Sequence, residues 1–408
     1  MASNRYDQHD RPKSAIGLTL AHPQKLTASA FSTRLALLYA AIFVAIGIQL
    51  PFFPVWLAAK GLDATAIGFV LAAPTLVRIF AVPNLTEWAD RGDSLVIGII
   101  ITTALAVLCN AVLGVSHGLA TIAVAYVFAA TAFTSSIPLA DAYALRGLAL
   151  YGGRYGPIRL WGSATFIIGS LGAGLLLDLI AAVDLIWLIV AATLLPACAA
   201  WTLAPLPAGG ARASGAPGTA RVLLGDAGLL AVIAAASLIQ GSHAVYYGFS
   251  AIQWRAAGLD GTAVAALWAL GVAAEIVLFA MSARLPEALG PTTLIIIGAA
   301  GAFVRWTAMA FDPPTVALPV LQCLHGLSFG ATHLGTIGFL AQRAPAGFGA
   351  SAQGYLTVAL AIVMAAAMGL SGILYAGYGT MAYATMALAA LVGGACVLVE
   401  RKLPPAAA

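Results

Sequence analysis

Twelve apolar runs, each long enough to cross a bilayer, leave this chain few folds to choose from. About 20 residues at 1.5 Å per residue cover a hydrocarbon core of roughly 30 Å. Such runs fall near 34–58, 65–85, 94–115, 119–148, 157–180 and 185–203, and again near 227–252, 262–283, 291–311, 315–341, 350–376 and 379–399. Inside lipid every backbone N–H and C=O needs a partner within its own segment, so runs of this length must be helices. Only 8% of the 408 residues are charged, against about 25% in soluble domains. The expected fold class is an all-α membrane protein with twelve transmembrane helices in two bundles of six.

The gap between the groups, 204–226, is rich in Pro, Gly, Ala and Ser and reads as a flexible linker. The expected organisation is a polar tail at 1–33, one bundle at 34–203, the linker at 204–226 and a second bundle at 227–403. The tail lacks the apolar region and small-residue site of a cleaved signal peptide. With it in the cytoplasm, fourteen Lys and Arg gather on that side, from Arg5 to Lys402, and only Lys60 and Arg255 fall opposite. Positive charge marks the cytoplasmic face, so both termini are expected there, in a multi-pass protein of the inner membrane. The basic balance has this origin and implies no nucleic-acid partner. Cys109, Cys198, Cys323 and Cys396 are scattered within helices and suggest neither a disulfide framework nor a metal site. No metal or organic cofactor is expected, and a monomer is.

The two bundles share an internal repeat. GLDATAIGFVLAAPTLVRIF, from Gly61, returns as GLDGTAVAALWALGVAAEIVLF, from Gly258, an offset of 197 that carries Arg78 onto Glu275. Each half thus holds one ionisable side chain at a matching depth of an apolar span, and such a residue is a functional candidate by default. Arg78 reads either as an anion-attracting group or as a helix-packing arginine bonded to carbonyls. A carboxylate without a partner in apolar surroundings takes up a proton, so Glu275 reads as a proton carrier.

The other deep charges can be ranked by depth. Asp141 and Arg159 lie nine residues either side of position 150, so antiparallel helices place both about 13 Å from the turn, near the midplane. They read as a substrate-binding pair or as a structural ion pair. Arg305 and His325 lie ten residues either side of position 315, with Pro313 and Pro314 at the turn, and are level in the same way. A neighbouring cation keeps an imidazole neutral, which gives His325 a coupling role; His333, eight residues on, extends a polar stripe with Ser328 and Thr332. Gln240, His243, Tyr247 and Ser250 recur at spacings of three and four on the seventh span. They form one polar face, for substrate or for helix association.

These residues resemble the major facilitator superfamily, and within it the lactose permease-like and phenylpropionate permease-like carriers. PFFPVWL (51–57), the spacing of 18 from Asp141 to Arg159 and that of 20 from Arg305 to His325 are similar to the lactose permease pattern. YGPIRLWGS (155–163), GSHAVYYGFSAIQW (241–254), LWALGVAAE (267–275) and LHGLSFGATHLG (324–335) resemble the phenylpropionate branch more closely. Where the sugar carriers have a stacking tryptophan this chain has Phe166. Ser328 stands at the position of their proton-carrying glutamate, and Gln322 at that of a lysine, so Glu275 becomes the substitute. The loop NLTEWADRGDS (84–94) is a degenerate form of the superfamily signature, and the fifth span lacks the Gly-Pro element of antiporters.

The resemblance implies alternating access and proton symport, powered by the proton gradient. With histidines neutral, Arg78, Arg159 and Arg305 against Asp141 and Glu275 leave a deep charge of +1. This favours a monoanion, because an arginine fork matches a carboxylate. The expected cargo is a small aromatic carboxylate such as 3-phenylpropionate, held by Asp141, Arg159, Phe166, Arg78, Gln240, His243 and Tyr247. Glu275, Arg305, His325 and His333 would couple the proton. The alternative is a neutral sugar, as in the lactose carriers, or a nucleoside. An enzyme is not expected, since no H-E-x-x-H, G-x-S-x-G or clustered Cys/His pattern occurs.

Overall fold

The computed structural model describes residues 27–91, 94–153, 155–206, 223–286, 289–345 and 348–402. The expected tail up to residue 26 and the central part of the linker, 207–222, lie outside the described residues. The first bundle comprises α1 (Ala28–Ala59), α2 (Ala64–Arg91), α3 (Leu95–Val115), α4 (Leu119–Tyr151), α5 (Tyr155–Leu177) and α6 (Leu185–Ala200). The second holds α7 (Ala227–Gly241), α8 (Ala244–Ala256), α9 (Gly261–Met281), α10 (Pro291–Ala310), α11 (Leu318–Cys323), α12 (Thr332–Arg343), α13 (Gly349–Tyr378) and α14 (Ala382–Glu400). Large apolar side chains such as Leu108, Phe128, Ile168, Val304 and Val320 face outward and exposed. Such a surface is stable only against lipid.

Ten described stretches are long and apolar enough to cross a membrane. The last, Ser351–Glu400, contains both α13 and α14, and the interrupted span from α11 to α12 is additional, which gives twelve crossings. The first helix starts six residues before the expected 34, because the Thr27 hydroxyl accepts the Ala30 N–H at 3.2 Å and caps it there. The repeat is legible in the caps: Asp63 accepts from Ala66 N at 2.8 Å and Asp260 from Ala263 N at 2.7 Å, each pair related by the offset of 197.

Two expected spans are broken. The seventh turns at Ser242 and His243 between α7 and α8, where the Ser242 hydroxyl donates to the Ile239 carbonyl at 2.6 Å and accepts from Trp306 Nε1 at 2.8 Å. The tenth widens into a π turn at Gly326–Ala331 between α11 and α12. Gly326 makes this possible, since a Cβ there would lie 3.0 Å from the Ala274 carbonyl of α9. Wide turns of this kind occur frequently at functional sites.

The halves touch mainly along two seams, α2 on α13 and α5 on α9, with a smaller contact of α1 on α8. A Cβ on Gly68 would fall 2.7 Å from Gly372 Cα, and one on Gly174 would collide with the Gly261 carbonyl. Both seams lie away from the membrane face at which α1 begins and α14 ends. Asp178, just past α5, accepts the Gly261 N–H at 2.6 Å and both the N–H and the hydroxyl of Thr262, at 3.0 and 2.9 Å, with Arg255 at 3.7 Å. The distal face is thereby shut, and the halves diverge toward the terminal face.

Candidate functional site

The divergence encloses a cavity of about 1130 Å³ on the terminal side of the seams. Its walls come from both halves: Arg78, Ile79 and Val82 on α2, Ile137 and Pro138 on α4, Tyr247 on α8, Phe329 in the π turn, and Tyr355, Val358 and Met364 on α13. Arg78 is the one charged side chain among the described lining residues. Its Nη2 donates to the Thr75 hydroxyl one turn earlier, at 2.8 Å, and no described carboxylate pairs with it. Gln240, Tyr247 and His333 line the same space.

Behind the cavity wall lies a buried polar cluster built by the two helix breaks. Arg305 on α10 is fully buried, and removing an unpaired cation from water costs several kcal/mol. The offset comes from contacts to both Nη atoms and both faces of the guanidinium, while Nε has no hydrogen-bond partner among the described residues. Nη2 donates to Gln322 Oε1 at 2.6 Å, Nη1 to His325 Nδ1 at 3.0 Å and, at 3.4 Å, to the Ser328 hydroxyl, while the rings of Tyr246 and Trp306 lie 4.5 Å from the guanidinium carbon. Each such ring contributes up to about 2 kcal/mol once desolvated.

A guanidinium has only donors, so His325 Nδ1 must accept and a neutral ring carries its proton on Nε2. That nitrogen lies 3.8 Å from Glu275 Oε2. Glu275 therefore faces a proton on His325, and His325 is held so that Arg305 blocks its other nitrogen. The expected level pairing of Arg305 with His325 is present, and Glu275 joins it from α9. A charge acting on Glu275 from the other half is Arg159.

Four expectations need correction. Asp141 and Arg159 form no ion pair. Asp141 instead accepts hydrogen bonds from the hydroxyls of Tyr39 and, at 2.9 Å, of Tyr155, and Arg159 lies over the Phe43 ring at 4.0 Å. The reason is packing: α5 lies along α1 and barely touches α4, so Tyr39 of α1 stands between the two charges. Phe166 is buried with its backbone against Gly47 of α1 and does not line the cavity. His243 is buried at the α7–α8 break, its Nδ1 at 3.1 and 3.2 Å from the Gln240 and Ile239 carbonyls and its Nε2 at 3.2 Å from the Ser328 hydroxyl. It ties the seventh span to the tenth and leaves only Gln240 and Tyr247 of the expected polar face on the cavity. His333 stacks near Phe329, with ring centres 6.1 Å apart, on the cavity wall, and among the described residues no hydrogen bond or ion pair joins it to Arg305 or Glu275.

Sequence reasoning passed over Tyr39 and Tyr155, which hold Asp141, and named Gln322 and Ser328 without making them the partners of Arg305 that they are. Their signal was a lone polar tip in an apolar span at the depth of a charge. Asp178 was also missed, because its loop position hides its role as a cap on a helix 83 residues away.

The comparisons with known proteins agree with this geometry. The family model described as MFS_1 like family matches residues 32–385. A probable 3-phenylpropionic acid transporter of Escherichia coli (strain K12) is 33% identical over 376 residues, covering 88% of this chain and 96% of that protein. A maltose permease of Geobacillus stearothermophilus is 30% identical over 315 residues, covering 75% and 78%. The solved nucleoside transporter NupG superposes with a TM-score of 0.81 at 16% identity, over 92% of this chain and all of that one. A bacterial homologue of the human lysosomal transporter Spinster gives 0.70 at 12% identity, over 93% and 98%. Twelve crossings in two related halves, a cavity walled by both, and a family model spanning most of the sequence place this chain in the MFS_1 like family, as a membrane transporter of the major facilitator type and not an enzyme.

Proposed function

We propose that the protein is a proton-coupled symporter that imports a small apolar monoanion, an aromatic carboxylate such as 3-phenylpropionate. The observation that carries this reading is the cavity wall: a single arginine, Arg78, without a described carboxylate partner, in a wall that is apolar over most of its surface and interrupted by the neutral polar groups of Thr134, Gln240, His333, Ser351 and Thr357. An arginine binds a carboxylate through a fork of parallel hydrogen bonds, and the remaining surface suits a hydrocarbon body. The E. coli relative, named as a probable 3-phenylpropionic acid transporter, supports the same class.

Glu275 carries the proton in this reading. Protonation removes its charge and changes the balance of Arg78, Arg159, Arg305, Asp141 and Glu275 from +1 to +2, so anion binding tightens when the proton is on. By linkage the anion tightens proton binding by the same factor, with couplings of about 1–3 kcal/mol being typical. Arg305 and His325 position Glu275 and do not themselves exchange the proton, since Nδ1 of His325 is engaged by a permanent cation. The protein works in the inner membrane with both termini cytoplasmic, as a monomer, without cofactor or nucleic-acid partner. Alternating access follows from separating the α2–α13 and α5–α9 seams while the terminal side closes.

The maltose permease relative and the NupG fold keep a neutral sugar or a nucleoside as the second reading. Thermal stabilisation by a panel of 3-phenylpropionate, maltose, lactose and uridine distinguishes the two. Stabilisation by the acid alone is expected; stabilisation by the sugars or the nucleoside alone overturns the anion reading.

A further inference from the structure

At Arg78 the cavity narrows into a second chamber of about 340 Å³. Thr75, Arg78, Thr134, Ile137, Tyr247 and Met364 line both spaces, so the chambers are continuous and Arg78 stands at the junction. Beyond it the wall turns almost wholly apolar, with Phe53, Pro54, Ala130, Phe133 and Met368 drawn from α1, α4 and α13. Phe53 stacks on Tyr126 with ring centres 4.2 Å apart, which fixes a flat aromatic floor.

Three polar groups interrupt this surface. The Gln49 amide and the hydroxyls of Tyr126 and Tyr247 line the chamber and make no hydrogen bond to another described residue. The Gln49 carboxamide is half-buried and open to the chamber, so a ligand that displaces water from it must supply the replacement hydrogen bond. The Thr75 hydroxyl, which accepts from Arg78 Nη2 at 2.8 Å, steadies the guanidinium at the entrance.

We propose that the inner chamber is the specificity compartment for the carried anion, and this rests on the monoanion reading above. The carboxylate sits on Arg78, one six-membered aromatic ring lies between Phe133 and the Phe53–Tyr126 stack with Met364 and Met368 alongside, and Gln49 reads a hydrogen-bonding substituent on that ring. The volume stands at the lower end of the roughly 300–1,000 Å³ of ligand pockets, which suits one ring and its short acid chain. A disaccharide fails on chemistry as well as size, because most of its hydroxyls would face Phe, Met, Leu and Pro side chains without partners.

The test is binding of labelled 3-phenylpropionate and 3-(4-hydroxyphenyl)propionate to the full-length protein in detergent, with butyrate as a short competitor. Ala130→Leu fills the inner chamber and is expected to weaken both aryl acids at least about tenfold, as added methylenes do in a hydrophobic pocket, while butyrate competes as before. Gln49→Leu is expected to remove the preference for the hydroxylated acid and leave 3-phenylpropionate within about twofold. Val320→Leu, on the outward lipid-facing surface, is expected to change neither. If Ala130→Leu does not fold, the Gln49→Leu comparison decides. Wild-type binding of aryl acids with both inner variants unchanged overturns the inner compartment and leaves the monoanion reading standing. No binding of any acid to the wild type overturns both.

Discussion

Asp178 is the place where a single substitution should shift the balance between the two faces. Its carboxylate takes three hydrogen bonds from the first two residues of α9, at 2.6, 3.0 and 2.9 Å, and attracts Arg255 at 3.7 Å. In Asp178→Asn one oxygen remains, so one or two of the three bonds are lost, together with the attraction to Arg255. Bonds to a charged acceptor contribute about 1.5–3 kcal/mol when buried, but the side chain is 27% exposed and solvent screens it. A net loss of about 1–2 kcal/mol follows, which moves the ratio of distal-open to distal-closed molecules about 5- to 30-fold. Spin labels at the exposed Ala181 and Ala257, one on each side of the seam, report this ratio by pulsed dipolar spectroscopy. Burial alone would raise the Asp178 carboxyl, but the Gly261 and Thr262 donors and Arg255 outweigh it and hold it below the usual carboxylate range. A depressed acid stabilises the closed state above its ordinary titration range, near pH 4, and loses that contribution only as pH falls through the depressed value. In Glu275→Gln, where the carried proton no longer titrates, the closed fraction should therefore stay flat between about pH 8 and 5. An unchanged distance distribution in Asp178→Asn, or opening of Glu275→Gln between pH 7 and 5, would refute the latch.

Three further outcomes are expected. Arg78→Gln should weaken 3-phenylpropionate binding about 10- to 150-fold, the equivalent of about 1.5–3 kcal/mol for a charge-assisted contact; equal affinity by isothermal titration would remove Arg78 from the anion site. Glu275→Gln should keep counterflow of labelled substrate while abolishing uphill accumulation, and accumulation at the wild-type level would exclude Glu275 from the proton path. Arg343→Lys breaks the fork in which Nε and Nη2 donate to the two Asp226 oxygens at 2.8 and 2.9 Å, and should lower the apparent Tm at neutral pH. The Arg343 bond holds the Asp226 carboxyl below its usual range, so that difference should persist down to about pH 4 and close below it; a difference that vanishes already at pH 6 would contradict the fork.

Depth was readable from the sequence, and direction around each helix was not. Counting back from a turn put Arg305 level with His325, and the two do meet, because α10 packs directly on the tenth span. The same count put Asp141 level with Arg159, yet α1 lies between α4 and α5 and supplies Tyr39 instead. Consecutive helices need not be neighbours, and nothing local to 141–159 says so. The periodicity that grouped Gln240, His243 and Tyr247 assumed one unbroken helix. The break at Ser242 and His243 depends on hydrogen bonds to Ser328 and Trp306 from distant segments. Phe166 kept its aromatic character but faces the α1 seam, where Gly47 admits its backbone. The repeat was legible throughout, since caps, helix starts and the Arg78 and Glu275 positions all obey one offset.

The central claim is that one proton crosses with one anion and that Glu275 carries it. Proteoliposomes in weakly buffered medium near neutral pH, given 3-phenylpropionate outside, should alkalinise the medium faster than protein-free liposomes, and a protonophore should collapse the substrate accumulated. In Glu275→Gln liposomes the alkalinisation should fall to the protein-free rate. Alkalinisation in Glu275→Gln equal to wild type, or wild-type accumulation of the acid with none, would contradict the account.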